Sequence, residues 1–198
     1  MEGTILIALQ AARIGGLAQV AALISALGNA SLIWILLGLI FILLADKRNA
    51  AITMLVSVVI ASVIAIIVSN IVARPYPSET VTGLVPMLGV SHSGYCFPSL
   101  YAATGFAAAI VLWLECDRGI GFAAFVFALL ESFSRMYLGV NYPSDILVGA
   151  ILGLAVGVIV HLTLSRVIGL INFEPKAPQR KQVSAGRMPQ NKRGRHSL

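Results

Sequence analysis

Residues 49–73 read NAAITMLVSVVIASVIAIIVSNIVA, and they contain no charged side chain. As an α-helix this run is about 37 Å long, enough to cross a hydrocarbon core of about 30 Å. Further charge-free runs occupy 14–45, 80–114, 119–130 and 146–165. The whole chain is 58% hydrophobic and only 11% charged, with a mean hydropathy of +0.91. Soluble domains carry about a quarter charged residues, so this composition excludes a soluble globular domain, a disordered chain and a disulfide-stapled secreted scaffold. It also argues against a nucleic-acid-binding domain. An all-α integral membrane protein remains, with one transmembrane domain over residues 1–170.

Six spans are expected. Gly28-Asn29 breaks the first long run, which places helices at about 4–27 and 31–45. The others run at about 50–73, 99–115, 119–136 and 145–166. Arg13 falls near the middle of the first, so that helix either spans or lies in the interface as an amphipathic segment. No small-residue cleavage site follows it, and no cleaved signal peptide is expected.

Residues 1–173 hold seven Lys/Arg and seven Asp/Glu, whereas the final segment holds seven Lys/Arg and one acid, Glu174. The net charge of +6 therefore belongs to residues 171–198, read as a basic, disordered cytoplasmic tail. Such a tail also suits RNA or anionic lipid, but its simplest role is to set topology. With Lys47-Arg48 and Arg118 on the same side, segments 74–98 and 136–145 face the non-cytoplasmic side of the plasma (inner) membrane. Cys96 and Cys116 would be about 30 Å apart on a single helix, beyond disulfide reach. They have no metal-ligand spacing, and neither a metal nor a cofactor is expected.

The residues with chemical potential gather in the two outer segments. The first carries Arg74-Pro75 and Phe97-Pro98-Ser99. The second reads SRMYLGVNYPSD from Ser134 to Asp145. Two arginines and a hydroxyl beside helix N-termini suit a phosphate group. Arginine offers a planar fork of donors, and a helix N-terminus adds N–H groups and a favourable dipole.

These residues also resemble the type 2 phosphatidic acid phosphatases, the integral-membrane lipid-phosphate phosphatases related to vanadium haloperoxidases. The family pattern is Lys-x6-Arg-Pro, Pro-Ser-Gly-His and Ser-Arg-x5-His-x3-Asp. Arg74, Pro75, Pro98, Ser99, Ser134, Arg135 and Asp145 match it, in order, within a resemblance covering about 50–165. It implies a six-helix lipid-phosphate phosphatase-like bundle, with Arg74, Ser99 and Arg135 binding phosphate and Asp145 in support. Four positions depart, the glycine of the second motif being Leu100. The motif-one lysine is Ile67, the motif-two histidine is Tyr101 and the motif-three histidine is Asn141. In the family the motif-three histidine attacks phosphorus, the aspartate orients it, and the motif-two histidine protonates the leaving oxygen. An amide has no nucleophilic lone pair for that attack, and a phenol with a reference pKa near 10 is a poor proton shuttle.

Three functional readings follow. The first is a catalytically degenerate member that binds a lipid phosphate, such as a polyprenyl phosphate or phosphatidate, or serves as a subunit of a membrane complex. The second is an active phosphatase with non-standard groups, His92 or Tyr101. The third is a purely structural membrane subunit, with a membrane-protein partner or a homo-oligomer. Glu131 lies four residues before Arg135 and is read as its ion-pair partner, which would compete with phosphate. Trp34, Tyr76 and Tyr95 read as interfacial or packing aromatics. Gly149, Gly153 and Gly157 line one helix face that meets another helix, in this chain or in a partner.

Overall fold

The structure is a computed structural model and describes residues 1–27, 31–44, 47–85 and 94–171, with the backbone alone for 26–27 and 168–171. The basic tail from 172, together with His92 and His196, lies outside the described residues. Eight helices follow in chain order: α1 Glu2–Ala11, α2 Gly15–Leu27, α3 Leu32–Leu43, α4 Arg48–Val72, α5 Pro77–Thr80, α6 Leu100–Glu115, α7 Arg118–Tyr137 and α8 Pro143–Ile171.

Among the described residues, three stretches are long and apolar enough to cross a membrane: Arg48–Thr80, Arg118–Tyr137 and Pro143–Val167. Shorter apolar helices, α1, α2, α3 and α6, accompany them. The protein is an all-α integral membrane protein. Large apolar side chains such as Ile67, Ile71, Phe122, Leu147 and Ile159 face outward, as expected where the surroundings are lipid.

At the centre stands α6. Ten of its residues are buried, among them Ala102, Ala103, Gly105, Ala107, Ala108 and Ala109. A helix apolar on all sides belongs inside a bundle, and the small side chains let its neighbours approach closely. The closest approach is that of α8. A Cβ on Gly149 would lie 2.5 Å from Ser99 O, and one on Gly153 would meet Ala103 O and lie 2.9 Å from Ala107 N. The glycine face of α8 therefore packs within this chain.

One expectation is corrected. The segment 4–27 is not a single helix but two, α1 and α2, of 10 and 13 residues. Arg13 sits at the corner between them. Its Nε donates to Tyr137 O at 3.1 Å and its Nη1 to Val85 O at 2.8 Å. Gln10 adds a pair of bonds to Gly83 O and Val85 N. A guanidinium that has backbone carbonyls within reach caps a corner instead of crossing lipid.

At one end of the bundle Lys47 pairs with Asp117 at 2.9 Å and His161 with Glu115 at 2.7 Å. The other end carries Glu2, Arg74, Asn141 and Asp145, tied together as described next.

Candidate active site and its cavity

The motif-three segment folds by local rules. Helix α7 ends at Tyr137 with Leu138 as its C-cap, and Gly139 follows at φ +77°. Gly139 N donates to Met136 O and Val140 N to Arg135 O, both at 3.0 Å. This is the Schellman arrangement, which calls for a residue with positive φ and so for glycine. The chain then turns directly into α8. Pro143 occupies the first helical position, where its missing N–H costs nothing. Asp145, at the third, reaches back to accept Tyr142 N–H at 2.8 Å, half of a capping box. Ser99 supplies the complementary half for α6, as an N-cap accepting from Ala102 N at 3.4 Å. Its own N–H donates to Asp145 O at 3.0 Å, which pins the start of α6 to the start of α8.

These two starts border a cavity of about 270 Å³. Its wall brings together Tyr101, Arg135 and Asn141, and adds Tyr76 and Tyr95 from the loop and Ser69 and Asn70 from the end of α4. Arg135 is only 8% exposed. Its guanidinium lies 4.1 Å from the centroid of the Tyr101 ring, a cation–π contact worth about 0.5–2 kcal/mol. Its Nη1 donates to Ser25 Oγ at 2.9 Å. Asn141 Nδ2 donates to Cys96 O at 2.7 Å, so position 141 ties the motif-three loop to the loop before α6.

Other site residues lie elsewhere. Arg74 does not line the cavity. Its Nη2 donates to Glu2 Oε2 at 2.7 Å, and its Nη1 to Asp145 Oδ1 at 2.6 Å and Ser144 Oγ at 2.7 Å. Tyr142 covers it at 3.9 Å. In this arrangement Arg74 faces two carboxylates, Glu2 and Asp145, the latter 0% exposed. Ser99 is buried as a helix cap. Ile67 is 54% exposed on the outer surface. His161 stands at the opposite end with Glu115.

Glu131 and Arg135 do not form the expected ion pair. Glu131 is 0% exposed and accepts a hydrogen bond from Trp34 Nε1 at 3.2 Å. Glu131 Oε1 and Arg135 Nε have no partner among the described residues. Trp34 is therefore a buried donor and not an interfacial anchor.

The sequence reading missed Glu2, Ser25, Ser69, Asn70, Tyr76, Tyr95 and Cys96 as neighbours of the site. Ser69 and Asn70 offered a signal, since they are adjacent polar residues at the end of an apolar run, one turn after Ile66. Nothing near Glu2 marked it. Burial, together with the nearby Asp145 carboxylate, pushes the Cys96 thiol up to about 12. For Glu2, burial raises the carboxyl, but hydrogen bonds from Ser144 and Arg74 outweigh it and hold Glu2 below the usual value of 4.5.

This architecture matches known proteins. The chain is 28% identical over 121 residues to undecaprenyl-diphosphatase of Sulfolobus acidocaldarius, covering 61% of this chain and 58% of that protein. It is 30% identical over 166 residues to decaprenylphosphoryl-5-phosphoribose phosphatase of Mycobacterium tuberculosis, covering 80% of this chain and 88% of that protein. The chain thus spans less than two thirds of the first relative and most of the second. The crystal structure of LpxE from Aquifex aeolicus shares the fold with a TM-score of 0.69 and 23% identity, covering 79% of this chain and 92% of that one. The family model described as the PAP2 superfamily matches residues 46–168, and the chain accordingly belongs to that superfamily.

Proposed function

We propose that this chain is a catalytically degenerate PAP2 protein that holds a lipid phosphate without hydrolysing it, alone or as a subunit of a membrane complex. One observation carries the reading: both histidine positions of the family pattern, Tyr101 and Asn141, face the same cavity as Arg135. The cavity keeps a phosphate donor, while the positions that would attack phosphorus and protonate the leaving group hold a phenol and an amide. The amide at the attacking position has no nucleophilic lone pair, and the phenol at the acid position is a poor proton shuttle at neutral pH. Ala65, Ile66 and Leu100 supply an apolar wall beside the polar one, which suits an amphiphile. The relatives' names, a diphosphatase and phosphatases of polyprenyl substrates, support the choice of ligand class.

The scaffold reading loses its motivating feature, because the Gly149/Gly153/Gly157 face is filled by α6. We read the end bearing Lys47 and Arg48 as cytoplasmic and the cavity end as facing the other side of the inner membrane. Lys47, Arg48 and Arg118 lie at the former end, and an excess of Lys/Arg on cytoplasmic loops supports the assignment.

The test is phosphate release by the purified full chain from phosphatidate, undecaprenyl phosphate and undecaprenyl diphosphate, with Arg135→Ala as control. The expected result is release equal to that of the control, with lipid phosphate retained by the unmodified protein and lost from the variant. Turnover that vanishes in Arg135→Ala would overturn the degenerate reading. Its further loss in His92→Ala or Tyr101→Phe would establish non-standard catalysis.

A further inference from the structure

Resting on the lipid-phosphate reading, we infer that the cavity takes a headgroup of one negative charge, a phosphodiester, in preference to a phosphomonoester dianion, because Glu2 consumes the charge of Arg74. Arg135 is the one cation among the described residues lining the cavity. The sequence supplies no Lys or Arg between 75 and 117. The motif-one lysine position is Ile67, turned to the outside.

Two other arginines stand at this end, neither lining the cavity: Arg13, held by Tyr137 O and Val85 O, and Arg74, whose charge is spent. Glu2 lies 2.7 Å from Nη2 and Asp145 2.6 Å from Nη1. Glu2 Oε1 also accepts Ser144 N–H at 3.0 Å, the free donor at the second position of α8. A carboxylate of the chain's own thus occupies a seat made of a guanidinium and a helix N-terminus, the combination that elsewhere receives an anion. The one guanidinium of Arg74 faces two carboxylates, and that cluster has no positive surplus.

A phosphomonoester loses its second proton near pH 6 and carries close to two charges at pH 8. The first charge meets Arg135. The second meets neutral groups, Tyr76, Tyr95, Asn70 and Asn141, with Glu2 and Asp145 behind them. A diester carries one charge, and those same neutral donors and acceptors suit its ester oxygens and the hydroxyls of a polyol headgroup. An unmatched second charge near a carboxylate, at the effective dielectric of a protein site, weakens binding of the dianion by about tenfold.

The experiment titrates the detergent-solubilised full chain at pH 8 with dihexanoylphosphatidylglycerol, dihexanoylphosphatidate and dihexanoylglycerol by calorimetry. The expected result is phosphatidylglycerol binding about tenfold tighter than phosphatidate, lost for both in Arg135→Ala. Glu2→Gln keeps the side-chain shape and removes the charge, so it should tighten phosphatidate several-fold and narrow the difference. Phosphatidate binding as tightly as phosphatidylglycerol, or a ratio unmoved by Glu2→Gln, overturns the inference and leaves the lipid-phosphate reading standing. Binding of neither phospholipid above dihexanoylglycerol overturns both.

Discussion

Arg74→Ala separates two roles for the same side chain. As a phosphate ligand, Arg74 would be dispensable for the fold and required for binding. As the partner of Asp145 it is required for the fold. Asp145 is 0% exposed, with Oδ1 2.6 Å from Arg74 Nη1. Removing the guanidinium leaves that carboxylate with the Tyr142 N–H at 2.8 Å, the Cys96 and Asn141 side chains, and no cation within bonding distance among the described residues. Charge centres about 4 Å apart at an effective dielectric of about 20 interact by about 4 kcal/mol. Breaking a buried pair from one side costs about 3–5 kcal/mol. Because the Arg74 side chain is 28% exposed, water recovers part of this, and about 2–4 kcal/mol of destabilisation is expected. In a chain of this size that lowers Tm by about 5–15 °C. Adding Asp145→Asn removes the stranded charge and should recover more than half of the loss. Thermal unfolding in detergent of the parent, both single variants and the double variant measures the cycle. If Arg74→Ala keeps the parental Tm while losing phospholipid binding, the clamp argument is wrong and Arg74 is a ligand group.

Three further outcomes are expected. Gly153→Ala places a methyl group against the backbone of Ala103 and Ala107, and should lower stability by about 1–3 kcal/mol. Gly16→Ala, which meets nothing within 4 Å, should be neutral or stabilising by up to about 1 kcal/mol; equal Tm shifts for the two would count against close α6–α8 contact. Cys96, with its thiol pushed up to about 12, holds only about one part in 10⁴ as thiolate at pH 8. Mass spectrometry of iodoacetamide-treated protein should therefore find Cys116 alkylated well before Cys96, and the reverse order would contradict the burial. Glu2 has a carboxyl held below its usual value of 4.5, so its ionised form contributes stability above that pH and loses it as pH falls through the lowered value. The Tm gap between the parent and Glu2→Gln should be full at pH 6 and close toward pH 3; a gap unchanged by pH would mean that the ionised carboxylate does not supply it.

Local chemistry was legible in the linear order. The charge-free run at 49–73 became α4, and the segments expected at 119–136 and 145–166 became α7 and α8 with ends shifted by a few residues. Ser99, Gly139, Pro143 and Asp145 perform the capping tasks their types suit, because caps and turns depend on neighbours a few residues away. The break at Arg13 was less legible. An arginine within an apolar run is ambiguous until its acceptors are known, and those acceptors, Tyr137 O and Val85 O, come from distant segments. The ion pair read from the four-residue spacing of Glu131 and Arg135 failed for the same reason. Trp34 and Ser25, on other helices, offered each of them a different partner.

From sequence alone came the membrane class, the order of the motifs and the substitution of Tyr101 and Asn141 for histidine. Those properties reside in residue types and short spacings. Only the tertiary structure decided which arginine reaches the cavity, and what neutralises the other. The Glu2–Ser144 bond spans 142 positions, and no local periodicity encodes such a contact. It exists because packing α8 against α6 aligns the start of α8 with the first helix, where a buried aspartate and a helix N-terminus require compensating partners.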